Sequence, residues 1–187
     1  MRIFALLLTS LLLFACSSQQ LSDYDNKQPQ LDLQQFFTGE LEAAGVVIDR
    51  SGVVTRTFTV ELLGTWQDNQ GVLEEWFVFD DGEKTTRTWR ITDLGNGQYT
   101  GTAGDIIGTA QGRSNGNALH WVYDLVLTVD GTEYEVKFDD WMYQVSEREI
   151  INRSKIVKWG FEVGEVILSI RKLDPKPSLQ PSVMNDN

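Results

Sequence analysis

From Gly39 onward the chain is interrupted by turn-forming residues too often to leave room for a long helix. Ser51-Gly52, Asn69-Gln70-Gly71, Asp80-Asp81-Gly82, Gly95-Asn96-Gly97, Asn115-Gly116-Asn117 and Asp130-Gly131 each separate short apolar runs. Gly and Asn accept the positive φ of tight hairpins, so this punctuation marks sequential strands joined by short turns. Within the runs the apolar residues alternate. Leu119, Trp121, Tyr123, Leu125, Leu127 and Val129 keep period two, and Phe58-Val60-Leu62 against Thr57-Thr59-Glu61 does the same. Tyr134-Val136-Phe138 alternates with the fully charged or acidic set Glu133, Glu135, Lys137 and Asp139. Period two is the signature of a strand with one face buried. Nine or ten such strands in series form an antiparallel meander, and closing it removes the exposed edges. The expected fold is all-β, a single meander closing into a lipocalin-like barrel, with a two-sheet sandwich as the alternative.

The N-terminus has a different character. Arg2 is followed by an apolar run from Ile3 to Phe14, broken only by Thr9 and Ser10, and then by Leu13-Phe14-Ala15-Cys16. The run is well short of the ~20 residues a spanning helix needs, so it reads as a signal segment. It resembles a bacterial lipoprotein signal, cut before Cys16 with that cysteine acylated. Ser17-Ser18 resembles the outer-membrane-directed form. Two or three acyl chains give stable attachment, since each buried CH₂ contributes about 0.8 kcal/mol. The expected organisation is a signal peptide over 1–15, a lipidated N-terminus and flexible tether over 16–30, a barrel domain over 31–172, and a disordered Pro-containing tail over 173–187. Within the barrel domain, Leu31 to Phe37 has room for one or two helical turns after Pro29. The expected address is the cell envelope: the outer membrane, with the domain in the periplasm.

Charge and cysteine content exclude several classes of function. The net charge of −11 becomes one unit more negative when Arg2 leaves with the signal. That disfavours nucleic acid and electrostatic docking on anionic lipid, both of which need basic surface. With the single Cys acylated, no disulfide, thiol nucleophile or Cys-based metal site remains. Stability then depends on packing, for which six Trp, nine Phe and five Tyr are available. An outer-membrane β-barrel is disfavoured because Glu133, Glu135 and Lys137 fall on a face that would have to meet lipid.

Few residues carry chemistry. Phe138-Asp139-Asp140-Trp141-Met142-Tyr143 is the densest cluster, and apolar neighbours raise a carboxyl pKa. On a strand Asp139 and Asp140 point to opposite faces, so they form no dyad; if Phe138 is inward, so are Asp140 and Met142. The structural reading has Asp140 cross-linking the core by accepting hydrogen bonds from backbone or from an Arg such as Arg153. The functional one makes it the polar group of a ligand pocket with Trp121, Tyr123 and Tyr143. His120, the one histidine, reads as a packed strand residue and not as a zinc ligand or triad member. Asp80-Asp81-Gly82 and Asp68-Asn69-Gln70-Gly71 are hairpin turns that lack the full ligand pattern of a calcium loop. No phosphate loop, nucleophile elbow or dinucleotide fingerprint is present. The expectation is therefore no catalytic residue, no metal and no cofactor.

Gly64-Thr65-Trp66 resembles the Gly-x-Trp element of lipocalins, in which the Trp closes one barrel end against an Arg from the last strand; Arg171 stands where that partner belongs. More of the chain resembles a bacterial lipoprotein family of unknown function, domain of unknown function 3833. The resemblance is carried by Leu31-Asp32-Leu33, Phe36-Phe37-Thr38-Gly39, Asp49-Arg50-Ser51-Gly52, Phe79-Asp80-Asp81-Gly82, Arg87-Thr88-Trp89, Gly116-Asn117-Ala118-Leu119, Phe138 to Tyr143, and Asn152-Arg153. It spans roughly residues 31–172 and brings no activity, ligand or catalytic residue with it. Together these features lead to an outer-membrane-anchored lipoprotein that binds a small apolar or lipid-like molecule without enzymatic turnover. Its partners are the membrane, through the acyl chains, and that ligand. The rivals are a structural or interaction lipoprotein with a filled core, and a lipid-acting hydrolase or isomerase using Asp140 as acid or base. Cys16→Ser is expected to abolish palmitate labelling and to release the protein from the membrane fraction; labelling that persists would refute lipidation at this residue.

Overall fold

The computed structural model describes residues 19–129 and 131–174. The expected signal peptide, Cys16 and the tail from residue 175 lie outside the described residues. Ten strands follow in chain order: β1 (Gly39–Asp49), β2 (Val54–Gln67), β3 (Gln70–Phe79), β4 (Lys84–Gly95) and β5 (Gln98–Thr102). Then come β6 (Ile106–Asn115), β7 (Ala118–Val129), β8 (Thr132–Ser146), β9 (Glu149–Lys158) and β10 (Phe161–Lys172). Each pairs antiparallel with its sequence neighbours, and β1 pairs with β10 from Leu41↔Lys172 to Asp49↔Gly164, which closes the barrel. The sandwich alternative is excluded by that last ladder.

The alternation in the sequence sorts the two faces. On β7, Leu119, Trp121, Tyr123 and Leu125 are buried inside. Trp121 lies over Gly112, its pairing partner on the adjacent strand β6, where a Cβ would collide with its indole. Trp89 meets Trp121 edge to face at 5.9 Å, a favourable aromatic geometry. On the outer wall, pairs such as Arg171–Glu42, Arg153–Glu165 and Lys155–Glu162 bridge neighbouring strands. Exposed pairs of this kind contribute little stability individually.

One end of the barrel is plugged. Asp32 caps a short helix, α1 (Leu33–Phe36), by accepting from the Gln35 backbone N–H at 2.8 Å. This turn inserts Leu31, Leu33, Phe36 and Phe37 among Leu41, Leu62, Leu73 and Ile150. Gly64 admits the Phe37 carbonyl where any side chain would block it. At the other end the rim carries Trp159 and Phe161 of the β9–β10 hairpin, 87% and 72% exposed, beside Val53 and Val54 of the β1–β2 hairpin.

Two expectations are corrected. The segment read as a flexible tether is docked from Gln19 onward. Its Tyr24 packs on Tyr143 and Trp141 at ring separations of 5.5 and 5.9 Å, and Asn115 donates to the Leu21 carbonyl and to Asp25. A polar segment without periodicity gives no advance sign of such irregular packing. The Trp66–Arg171 closure does not form either. Arg171 points outward to Glu42, while Trp66 lies over Gly71 of the adjacent strand.

Truncating Trp121 to Ala is expected to lower stability by about 3–5 kcal/mol, as for other buried aromatics. Glu133→Ala, on the exposed outer wall, should stay within about 0.5 kcal/mol. Urea unfolding of the two variants measures the difference.

Candidate functional site

Between the plug and the open rim the inner wall turns polar. Glu75 on β3 faces Arg87 on β4 as a directly opposed cross-strand pair. Across the barrel, Trp121, Asp140 and Ser154 are aligned on β7, β8 and β9, with Asn152 two residues before Ser154. Asp105, in the connection between β5 and β6, completes the belt by accepting from Arg87 Nε and Nη2 at 2.9 and 2.6 Å. β5 is only five residues long and its ladder with β4 begins at Arg90↔Thr102, so the Arg87–Asp105 pair bridges a notch in the wall.

Above the belt the lining is aromatic. Phe58, Phe77 and Phe79 form a cluster with centroid separations of 5.7–6.2 Å, and Tyr123 stacks on Phe138 at 5.4 Å. Phe77 and Phe138 alternate inward and keep part of their surface accessible. Two depressions, of about 700 and 910 Å³, lie elsewhere, on the outer wall of β10, β1, β2 and β3 around Ala44, Thr59 and Val78. They are open surface grooves with no buried charge converging on them. The chemistry is inside.

The two interior acids are placed differently. Asp140 is 4% exposed and saturated with donors: Ser154 Oγ at 2.9 Å, Tyr123 OH at 3.5 Å and the Asn152 amide. Burial still raises its pKa to about 6, against the lowering effect of those donors. Glu75 is pushed further, to about 7, by burial first and then by the charges of Asp105 and Asp140, with Arg87 opposing. One of its oxygens and one of Asp105's are buried without any hydrogen-bond partner. Burial likewise holds the Tyr123 phenol well above its ordinary range.

Of the residues expected to line a pocket, Trp121, Tyr123 and Asp140 come together on the inner wall. Tyr143 does not: it alternates outward, and its hydroxyl accepts from the Gln19 amide at 2.9 Å. Arg153 is not Asp140's partner, because it is on the outer wall with Glu165. His120 is outside as well, stacked on Trp141 at 4.3 Å with its Nε2 2.8 Å from Asp139. It therefore has no access to the interior acids. Glu75, Arg87 and Asp105 were not singled out from sequence. Glu75 sits in Leu73-Glu74-Glu75-Trp76-Phe77, where either Glu could be the inward one; only the parity set by Leu73 and Phe77 distinguishes them.

Both acids stay protonated to higher pH in the folded chain than the ordinary carboxyl range of the unfolded one. The folded state then binds more protons between about pH 4 and 7, so their contribution makes stability fall as pH rises through that window and level off above it. Glu75→Gln removes Glu75's share. The variant is expected to match the parent near pH 4 and to exceed it by on the order of 2 kcal/mol at pH 8; denaturant titrations across this range test the sign.

Known structures share the barrel at low sequence identity. The S-type phycobiliprotein lyase CPES from Guillardia theta superposes with a TM-score of 0.52 at 8% identity, over 78% of this chain and 95% of that one. A protein of unknown function from the DUF3598 family of Nostoc punctiforme gives 0.49 at 12% identity, over 79% and 51%. A redesigned β-barrel gives 0.42 at 6%, over 75% and 95%. Among curated proteins none matches in sequence. The family model described as protein of unknown function (DUF3833) matches residues 10–172, and the chain belongs to that family.

Proposed function

We propose that this chain is a non-enzymatic binder of a small apolar or lipid-like ligand, held at the outer membrane by acyl chains on Cys16. The observation that carries it is the interior polar belt set beneath an aromatic wall in the unplugged half of the barrel. Small-molecule sites are usually apolar cavities with a few convergent polar groups. The exposed Trp159 and Phe161 at the open rim give an apolar ligand a compatible entrance. The likeness to a phycobiliprotein lyase supports the frame and says nothing about the ligand.

Anchoring and orientation are linked in this proposal. Gln19 is the third residue after Cys16, at most about 10 Å of chain away. Gln19 is fixed on Tyr143, next to the plugged end, where Tyr143 pairs with Ala118 at the start of β7. Acylation at Cys16 would hold the plugged end near the bilayer and turn the open rim away from it. Catalysis is disfavoured because Asp140 has its lone pairs occupied and His120 is outside the barrel. The structural or interaction alternative would use the open groove over Ala44, Thr59 and Val78.

Purified, delipidated protein titrated with dodecanol is expected to show saturable one-to-one binding, read by tryptophan fluorescence through Trp89 and Trp121 and by native mass. No binding of any single-chain amphiphile or phospholipid, in protein folded by circular dichroism, would transfer the case to the interaction alternative. Chemical conversion of a bound lipid would instead establish an enzyme.

A further inference from the structure

The interior belt holds more acids than cations. Among the described residues, Arg87 is the one cation in the belt, which also holds three carboxyls: Glu75 and Asp105 beside Arg87, and Asp140 across the barrel. Its Nε and Nη2 are both committed to a single oxygen of Asp105, and its charge is further matched by Glu75 across the strand pair. The hydroxyls of Tyr123 and Ser154 and the amide of Asn152 are committed to Asp140. What remains is a buried Glu75 oxygen and a buried Asp105 oxygen that accept nothing. Native interiors rarely leave such atoms unpaired.

We infer, on the basis of the binding function proposed above, that the lumen takes amphiphiles whose polar end is a hydrogen-bond donor, a hydroxyl or an ammonium, and discriminates against carboxylate-headed chains. An ammonium placed between Glu75 and Asp105 can donate to both orphan oxygens, and a hydroxyl to one of them, while the apolar chain runs along Phe58, Phe77 and Phe138 toward the rim. A carboxylate in the same place brings a fourth acidic group to one guanidinium and supplies no donor. Specificity of this kind arises as much from unpaired groups left by the wrong ligand as from contacts with the right one. The cations at the rim, Arg56 and Lys158, do not reverse the balance: Lys158 Nζ is engaged 3.9 Å over the Tyr134 ring. Arg56 lies 3.7 Å over the Phe79 ring, and its charge is matched by Asp81 and Glu83 at 2.9 and 2.8 Å. A metal ion is a poor alternative occupant, since no group of three His, Cys, Asp or Glu among the described residues has the geometry to hold one. The raised pKa of Glu75 is consistent with an acid that lacks a compensating donor.

The test is displacement of the neutral dye N-phenyl-1-naphthylamine from the purified chain at pH 8.5. Dodecanol, dodecylamine and dodecanoate serve as competitors, each below its critical micelle concentration. Dodecanol and dodecylamine should displace the dye at concentrations at least tenfold lower than dodecanoate. Glu75→Gln should narrow that gap at least threefold, and Asp105→Asn should act in the same direction. Asp139→Asn, on the outer wall, should leave it unchanged. Folding of each variant is checked by circular dichroism, and the two interior variants act as independent reporters should one fail to fold. Dodecanoate competing as well as or better than the alcohol overturns the inference while leaving the binding function standing, as does an unchanged ranking in folded Glu75→Gln and Asp105→Asn. If neither the dye nor any competitor binds, the binding function fails and the inference falls with it. A stronger preference for dodecylamine than for dodecanol identifies charge as the main term, and the reverse order identifies hydrogen bonding alone; both support a donor head.

Discussion

The ladder between β1 and β10 is the constraint on which the rest of the molecule depends. It joins the two ends of the meander from Leu41↔Lys172 to Asp49↔Gly164, and without it both end strands would present unpaired N–H and C=O groups along their length. Closure also turns a period-two pattern into a topological statement. Every alternate side chain is then inside a finite space, and a single-residue slip would place Trp121 and Asp140 in water and His120 and Asp139 in the core. The register is secured from inside by shape. Trp121 fits only over Gly112, and the Phe37 carbonyl only over Gly64, so the plug and the first aromatic layer fit in one arrangement of the walls.

The same closure explains what was legible in the sequence and what was not. The strong alternation over residues 119–129 fixed the inner face of β7, and the opposite sides of Asp139 and Asp140 followed from strand geometry alone. The barrel itself was legible because turn residues recur at hairpin spacing. The Glu75–Arg87–Asp105 set was not, because it joins three elements through a cross-strand register that no local pattern encodes. Trp66 and Arg171 show the converse hazard: a tripeptide and a distant Arg fit a familiar closure, but Arg171 has outward parity on β10 and meets Glu42 instead. Tyr143 was misplaced for a related reason. It belongs to an aromatic cluster in sequence, yet Trp141 and Tyr143 share the outer parity, and their rings are covered by Tyr24. Buried aromatics on an outer wall require a docked segment, and sequence periodicity reports only the wall.

Layering within the barrel separates its structural work from its chemical potential. The plugged third is apolar and tightly filled, with Phe36, Leu41, Leu119 and Ile150 essentially without exposed surface. Packing of that quality is sufficient to hold the fold. The middle third then bears groups that stability alone would not select, because a buried carboxyl costs free energy unless it is fully paired. A core of similar volume made of Leu and Phe would serve a purely structural barrel better.

The two interior acids differ in how fully the protein satisfies them. Asp140 has three donors, and with Asn152 and Ser154 it ties β8 to β9; it is a cross-link whose energetic demands are met inside the protein. Glu75 has a cation opposite it but retains an oxygen with no partner, in the half of the barrel that stays accessible. A satisfied group is explained by the fold, whereas the unpaired Glu75 oxygen is the observation on which the proposed ligand contact rests. Asp140 is thus held by protein donors as a cross-link between β8 and β9, while the donor-headed ligand proposed above is assigned to Glu75 on the facing wall.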